Sequence, residues 1–183
     1  MIPDHADIVF SGKFFQVHHW NQEMFDGSVG LFERVTRNGW CAVLPIVGDK
    51  IVIARQEQPH RGEYLGFIGG MMDDGEQPET TAIRELREEA GMEATQCVFL
   101  YKQKVGLGVD AYRHYYLARW CQIVADQRLD GGEKIQLEYL SFEDFVDHVV
   151  SEKTYGDHAF REWLLYQHYT DGGWEGVKNL FFW

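Results

Sequence analysis

Cysteine, proline and long apolar runs are scarce in this sequence. Its three cysteines, Cys41, Cys97 and Cys121, stand far apart with no CxxC spacing. This pattern excludes a disulfide framework and indicates reduced thiols in a cytoplasmic protein. The longest apolar run, residues 40–47, contains Pro45 and is too short to span a membrane. The N terminus has no basic segment followed by an apolar one, so we expect no secretory signal.

Positive charge is also in deficit. The chain has 17 Lys and Arg residues against 29 Asp and Glu residues, a formal net charge of −12. Such a charge repels nucleic-acid backbones and anionic membrane surfaces, so we expect neither as a partner. It repels small phosphate esters as well, so a protein that binds one needs cations at its site.

The distribution of apolar residues predicts an α+β fold, a mixed sheet with helices on its faces, in a single domain over residues 1–183. Apolar or alternating segments predict strands over residues 14–20, 31–36, 40–47, 50–55, 64–68, 98–103, 112–120 and 135–140. Gly48-Asp49 predicts a two-residue hairpin loop between two of these strands.

A strong helical pattern follows Pro78. Proline suits the first helical position because its missing N–H would be unpaired there, and Gly91 supplies a left-handed residue that ends the helix. The predicted apolar stripe of this helix consists of Ala82, Ile83, Leu86 and Ala90.

Two further helices are predicted to close the chain. Ser141 and Asp157 suit their N-terminal caps, and Gly172-Gly173 is expected to end the second helix. The last eight residues, GVKNLFFW, are apolar enough that we expect them to fold back on the core or lie in a dimer contact.

Three carboxylates share one face of the first helix. Glu85, Glu88 and Glu89 stand at i, i+3 and i+4. Such a run is usually a solvated acidic face, and Arg84 can simply pair with Glu88. These glutamates, however, adjoin the apolar stripe, and the helix follows a strand ending in Gly69-Gly70, whose carbonyl groups can join a ligand set. Carboxylate and carbonyl oxygens suit Mg²⁺ or Mn²⁺, with substrate phosphates and water completing the octahedron.

Residues 70–92, GMMDDGEQPETTAIRELREEAGM, resemble the Nudix box, GX5EX7REUXEEXGU, in which U is aliphatic. All seven specified identities match in register, and Leu86 fits the first U. The resemblance implies an α/β/α sandwich around a mixed sheet. It also implies hydrolysis of a nucleoside diphosphate linked to another moiety.

The resemblance assigns roles by position. Glu85, Glu88, Glu89 and the carbonyl of Gly69 would hold Mg²⁺ or Mn²⁺. Gly70 and Gly91 would be the structural glycines of the box. A salt bridge between Glu76 and Arg84 would brace the loop against the helix.

A group that accepts the proton of the attacking water is also needed. In ADP-ribose pyrophosphatases, which this chain resembles, an acidic residue on a late loop before a strand has this role. The matching residue is Glu133, beside Gly131-Gly132, and Glu88 is the alternative. The alternative is that Glu133 is only a solvent-exposed glutamate in a turn, with no part in the reaction.

The first 38 residues bear on the substrate. Their two predicted strands, GKFFQVHHWNQ and LFERVTR, precede a core over residues 39–183 and resemble those of nucleoside diphosphate sugar pyrophosphatases. In those enzymes the strands cross to a partner, which implies a homodimer with an extra N-terminal sheet. By the same resemblance Arg34, Arg37 or Arg55 would contact phosphates or ribose. In ADP-ribose pyrophosphatases the residues before the box usually read Pro-Ala-Gly, whereas here they are Ile68-Gly69-Gly70. We therefore predict a nucleoside diphosphate sugar as substrate, without assigning ADP-ribose as the preferred one.

We therefore expect a divalent-metal-dependent pyrophosphohydrolase that cleaves nucleoside diphosphate sugars, such as ADP-ribose or GDP-mannose, to a nucleoside monophosphate and a sugar phosphate. The alternatives within the fold are hydrolysis of dinucleoside polyphosphates or nucleoside triphosphates and isomerisation of an allylic diphosphate. A non-catalytic nucleotide-sensing domain is a further alternative, although such a domain is free to lose box glutamates and every one is present here.

Overall fold

The computed structural model describes residues 2–106, 108–151 and 157–183. Its N-terminal strands are β1 (Asp7–Ser11), β2 (Gln16–Glu23) and β3 (Val29–Thr36). The strands and the helix that follow are β4 (Trp40–Val47), β5 (Lys50–Gln58), β6 (Arg61–Gly66), β7 (Ile68–Met71) and α1 (Pro78–Ala90). Five strands come next: β8 (Met92–Glu93), β9 (Gln96–Lys104), β10 (Val109–Asp110), β11 (Tyr112–Arg119) and β12 (Gln122–Ile123). The chain ends with β13 (Lys134–Leu140), α2 (Phe142–Val150), α3 (His158–Thr170) and α4 (Gly173–Phe182).

A seven-stranded mixed sheet forms the centre of the molecule. Its order is β13-β5-β4-β11-β9, with β6 paired to β5 and β7 paired to β4. The β4–β11 pair is parallel, whereas the other pairs are antiparallel. The sheet is therefore mixed, as expected, and Gly48-Asp49 joins β4 to β5 as the predicted two-residue loop.

The two faces of this sheet carry separate apolar clusters. Successive side chains of a strand point to opposite faces, so Leu44 of β4 packs with α2, α3 and α4, whereas Val43 packs with α1. All hydrophobic residues of β4 between Cys41 and Leu44 are fully buried. The result is the expected α/β/α sandwich, with α1 on one face and α2, α3 and α4 on the other.

The N-terminal strands form a second sheet in the order β1-β2-β3-β10. The short strand β10 pairs in parallel with the end of β3 and so connects this sheet to the segment between β9 and β11. An extra N-terminal sheet was expected, but β1 lies outside the predicted strands. Its five residues are all exposed, so no apolar pattern distinguishes them.

Several local predictions need correction. The segment predicted as one strand over 64–68 belongs to two strands, β6 and β7, which meet at Phe67 and pair with different neighbours. Ile83 is 49% exposed and does not belong to the buried stripe of α1. Gly173 begins a further helix, α4, which folds back so that Val177 and Phe181 are fully buried.

The helix caps also divide into confirmed and corrected predictions. The Ser141 side chain accepts a hydrogen bond from the Asp144 N–H at 3.1 Å, as an N-cap should. Asp157 occupies the N-cap position of α3, but its side chain makes no capping hydrogen bond. Across the described ranges, no helix combines the length and apolarity that a membrane span needs.

Candidate active site

Helix α1 is fixed at both ends by its own residues. Pro78 stands in its first turn, and Gly91 ends it in the left-handed conformation, with φ of 64°. The Gly91 N–H donates to the carbonyl oxygens of Arg87 and Leu86. A side chain at position 91 would overlap the carbonyl oxygen of Ala125, so glycine is required for space as well as for conformation.

Two glycines let β7 approach its neighbours closely. Gly69 has φ of 149°, and a Cβ there would overlap the backbone carbonyl of Cys41 on β4. A Cβ on Gly70 would overlap the carboxylate of Glu85 on α1. The glycine pair therefore brings the β7 backbone directly against the acidic side of α1.

Glu85 and Glu89 are the buried carboxylates of this helix, at 8% and 4% exposure. The Gly69 N–H donates to Glu89 Oε2 at 2.8 Å. Burial raises the pKa of Glu85 to about 7 and the pKa of Glu89 well above its usual range, and neighbouring carboxylates add to both effects. The charged form of both carboxylates is therefore disfavoured unless a cation lies nearby.

Arg84 organises the rim of the acidic face. Its guanidinium donates to Glu76 Oε1 at 3.1 Å, Glu85 Oε1 at 2.7 Å and Glu88 Oε2 at 3.0 Å. A further bond reaches the carbonyl oxygen of Met71 at 3.1 Å. The Glu76–Arg84 salt bridge thus joins the loop after β7 to α1, and Arg84 lowers the pKa of Glu76 to about 2.

The donor set fits a divalent cation. Buried carboxylates with raised pKa values are stabilised in their charged form by an adjacent cation, and hard oxygen donors suit Mg²⁺ or Mn²⁺. Among the described residues, no three carboxylate, imidazole or thiol groups already surround one point. Glu85 and Glu88 face Arg84, and Glu89 faces the Gly69 N–H, so binding an ion requires these side chains to exchange partners.

A cavity of about 300 Å³ opens beside Gly69 and Glu89. Its polar and charged walls come from strand ends and loops that lie far apart in the sequence. The residues that line it are Arg37, Asn38, Trp40, Gln56, Gln58, Arg61, Tyr64, Gly66, Phe67, Gly69, Glu89, Val105, Arg113, Glu133 and Asp157. Glu89 of α1, Glu133 and three arginines therefore line one cavity.

A model of the NUDIX domain matches residues 36–164. The chain belongs to the NUDIX family. It is 29% identical over 151 residues to the ADP-ribose pyrophosphatase of Bacillus subtilis (strain 168), which covers 80% of this chain and 82% of that protein. It is 32% identical over 100 residues to the ADP compounds hydrolase NudE of Escherichia coli (strain K12), covering 53% of this chain and 54% of that protein. A crystal structure of an ADP compounds hydrolase superimposes with a TM-score of 0.72 at 21% identity, covering 92% of this chain and 93% of that chain, which shows a shared fold.

The NUDIX motif and Glu133 meet in this cavity. Glu133 is half-buried on the loop before β13, where its N–H donates to the Asp130 carbonyl oxygen at 2.9 Å. Glu133 lines the same cavity as Glu89, and its charge contributes to raising the pKa values of Glu85 and Glu89. Glu88, the other candidate from the sequence, has a side chain that is 44% exposed and is paired with Arg84.

Of the three arginines singled out in the sequence, Arg37 lines the cavity. Arg34 lies on β3 opposite His18, away from the cavity walls. Arg55 donates to Glu138 at 2.6 Å and to Glu63 at 2.7 Å, so its guanidinium is held by two carboxylates outside the cavity. Arg37 is therefore the one of these three that lines the cavity, and the substrate contacts predicted for all three stay predictions.

Sequence reasoning missed Arg61, Arg113 and Asp157, which also line the cavity. Arg113 pairs with Trp40 across the parallel β4–β11 junction. Because side chains alternate along a strand, Arg113 points to the same face of β11 as the buried Tyr115. An arginine on a face predicted to be buried is unusual, and this signal in the sequence could have identified it. Arg61 follows a turn and carries no comparable signal in the sequence.

Proposed function

We propose that this NUDIX protein hydrolyses the diphosphate linkage of a nucleoside diphosphate sugar, such as ADP-ribose or GDP-mannose, using Mg²⁺ or Mn²⁺. The products are a nucleoside monophosphate and a sugar phosphate. The observation that carries this proposal is the single cavity in which Gly69 and Glu89, a glutamate of the motif, meet Glu133 and three arginines. The names of the two sequence relatives, which refer to ADP-ribose and ADP compounds, support the same class of substrate.

The metal ligands in this proposal are the carboxylates of Glu85, Glu88 and Glu89 and the carbonyl oxygen of Gly69. When bound, the divalent ion supplies Lewis acidity and neutralises negative charge on the diphosphate. Glu85 and Glu89 are held in place by the core beneath them, since each precedes a buried apolar residue of α1. The Glu76–Arg84 salt bridge keeps the preceding loop against the helix.

Glu133 accepts the proton of the attacking water. Glu133 lines the cavity, and its Oε2 accepts a hydrogen bond from the Asp130 N–H at 3.3 Å. The exposed Gly131-Gly132 pair beside it gives the loop backbone freedom to adjust to substrate. Glu88 is the alternative acceptor, but its carboxylate already accepts a hydrogen bond from Arg84 at 3.0 Å.

Arg37, Arg61 and Arg113 bind the diphosphate. The chain as a whole repels anions, with a net charge of −12, yet three guanidinium groups line this cavity. A guanidinium forms paired hydrogen bonds with phosphate oxygens and retains its charge at every relevant pH. These arginines supply the positive charge that a chain of this net charge needs at a site for an anionic substrate.

We also propose that the protein forms a homodimer and lies in the cytoplasm. Phe10, Leu31 and Phe32 leave large apolar areas exposed on the N-terminal sheet, and apolar surface of this extent is typical of an interface. The three free cysteines agree with a reducing compartment.

A substrate panel tests the proposed reaction. The protein is incubated with ADP-ribose, ADP-glucose, GDP-mannose, UDP-glucose, a dinucleoside polyphosphate and nucleoside triphosphates, with Mg²⁺ or Mn²⁺, and the products are resolved by chromatography. We expect a nucleoside monophosphate and a sugar phosphate. Cleavage of triphosphates or dinucleoside polyphosphates alone would contradict the proposed substrate, and binding without turnover would indicate a sensor.

Two isosteric variants test the assigned roles. Glu89→Gln should abolish turnover and leave the protein folded, because it removes one charge from a crowded acidic face. Glu133→Gln should lower kcat at least about 100-fold at saturating metal, as expected for loss of a general base. Near-normal kcat for Glu133→Gln, together with a large loss for Glu88→Gln, would transfer the role to Glu88.

A further inference from the structure

One carboxylate in the cavity has no part in the proposed hydrolysis. Asp157 precedes α3, is 7% exposed and lines the same cavity as Glu89 and Glu133. Its side chain makes no capping hydrogen bond, and its φ of −105° and ψ of 40° differ from the extended conformation of an ordinary N-cap. Helix capping therefore does not explain why a carboxylate is buried at this place.

A rigid aromatic stack orients this carboxylate. The hydroxyl of Tyr115 donates to Asp157 Oδ1 at 2.7 Å. Tyr115 is fully buried, and its ring is stacked on that of Tyr101 with centroids 4.5 Å apart. Tyr101 is stacked in turn on Trp163 at 5.2 Å. The position of Asp157 is thus set before any substrate arrives.

The surroundings of Asp157 favour a neutral ligand group that donates hydrogen bonds. Burial raises the pKa of Asp157, while Tyr115, Arg113 and His158 act in the opposite direction. A carboxylate has about four acceptor sites, and the Tyr115 hydroxyl uses one. A phosphate would be repelled by this group, whereas sugar hydroxyls can donate to it, as ribose hydroxyls do to acidic residues in dinucleotide-binding folds.

We propose that Asp157 is a specificity-determining residue that accepts hydrogen bonds from the ribose hydroxyls of the substrate, with Tyr115 as its positioning residue. This inference rests on the proposed nucleotide-sugar substrate, and it identifies ribose as the part of that substrate that Asp157 recognises. Arg113, beside Asp157 in the cavity, binds the adjoining phosphate, so the pair distinguishes a phosphorylated sugar from a bare phosphate chain. The nucleoside ribose and the terminal ribose offer the same chemistry, and the test separates them.

The kinetic test compares three substrates: ADP-ribose, its 2′,3′-dideoxyadenosine analogue, and an analogue with an ethyl group in place of the terminal ribose. Asp157→Ala should raise KM for ADP-ribose about tenfold, with kcat changed less than about threefold. On the analogue that lacks the recognised hydroxyls, wild type should already show the raised KM and Asp157→Ala should cause no further loss. Tyr115→Phe should shift KM in the same direction by a smaller factor.

Controls separate this role from a structural one. Asp157→Asn keeps an oxygen that can accept the hydrogen bond from the Tyr115 hydroxyl. This variant replaces Asp157→Ala in the kinetic test if the alanine variant does not fold. Asp49→Asn, on an exposed turn, should leave every constant unchanged. An equal loss on all three substrates, or an unchanged KM for ADP-ribose, would overturn the inference.

Equilibrium binding distinguishes its failure from failure of the proposed function. AMP and ribose 5-phosphate are titrated into wild type and Asp157→Ala by calorimetry. If wild type turns over no nucleotide sugar but Asp157→Ala weakens one of these ligands about tenfold, hydroxyl recognition stands and the reaction fails. If both ligands bind both proteins equally, the inference fails; if wild type neither binds nor turns over any probe, both fail.

Discussion

Replacing Glu76 by glutamine tests the salt bridge that joins the loop after β7 to α1. The Glu76 carboxylate accepts from Arg84 at 3.1 and 3.2 Å and from the Asp73 N–H at 3.0 Å. Its side chain is 12% exposed, and that of Arg84 is 29% exposed. Glutamine has nearly the same shape, so the variant removes the charge and leaves the packing in place.

The pKa shift gives the expected magnitude. Arg84 lowers the pKa of Glu76 from 4.5 to about 2, which corresponds to roughly 3 kcal/mol of stability at neutral pH. Solvent screening and the sharing of Arg84 with two other glutamates reduce this, so we expect Glu76→Gln to cost about 1–2 kcal/mol. Because the folded-state pKa is the lower one, this stabilisation is present above pH 4.5 and is lost as pH falls through about 2.

Urea unfolding of wild type and variant between pH 7 and pH 3 measures the effect. The difference in unfolding free energy should be largest at pH 7 and fall to well under half of that value by pH 3. Glu162→Gln, which changes an exposed glutamate on α3, should stay within about 0.5 kcal/mol of wild type at every pH. A difference between wild type and Glu76→Gln that is equal at pH 7 and pH 3 would refute the electrostatic explanation.

Three further predictions concern the helix end, the metal and the N-terminal sheet. Gly91→Ala should lower the unfolding free energy by about 1–3 kcal/mol in urea titrations, because position 91 is left-handed and abuts the Ala125 carbonyl; a loss below about 0.5 kcal/mol would contradict this. Exhaustive chelation should abolish turnover and added Mn²⁺ should restore it, whereas full activity after chelation would remove the metal from the reaction. Leu31→Lys should shift the mass measured by light scattering from dimer to monomer, while Ile123→Lys, at a similarly exposed position on β12, should not; a wild-type monomer would end the dimer proposal.

Local signals account for the parts of the fold that were predicted correctly. The β4–β5 hairpin and the end of α1 each depend on a glycine with positive φ, Gly48 and Gly91, and such positions are marked in the sequence. The β6–β7 boundary was missed because it is set by partner strands, β5 for one and β4 for the other. Helix α4 was missed because its two glycines disfavour a helix locally, and burial of Val177 stabilises it instead.

Some residues of the candidate site could be predicted from the sequence, and others could not. The acidic residues of α1 could be placed from spacing alone, since helical geometry fixes which residues share a face. Arg55 was selected by resemblance, but only the pairing of β5 with β6 and β13 shows that Glu63 and Glu138 occupy its guanidinium. Asp157 enters the cavity through tertiary packing, which no local pattern encodes.

Helix α1 both carries acidic residues of the candidate site and packs against the core, and this restricts where the chain can gain or lose residues. Glu85 and Glu89 each immediately precede a core residue, Leu86 and Ala90. One inserted residue before position 85 would turn the rest of the helix by about 100° and take the acids away from the cavity and the leucine out of the core together. Insertions and deletions should therefore accumulate among homologues at exposed turns such as residues 26–28, while the stretch from 78 to 91 keeps its length.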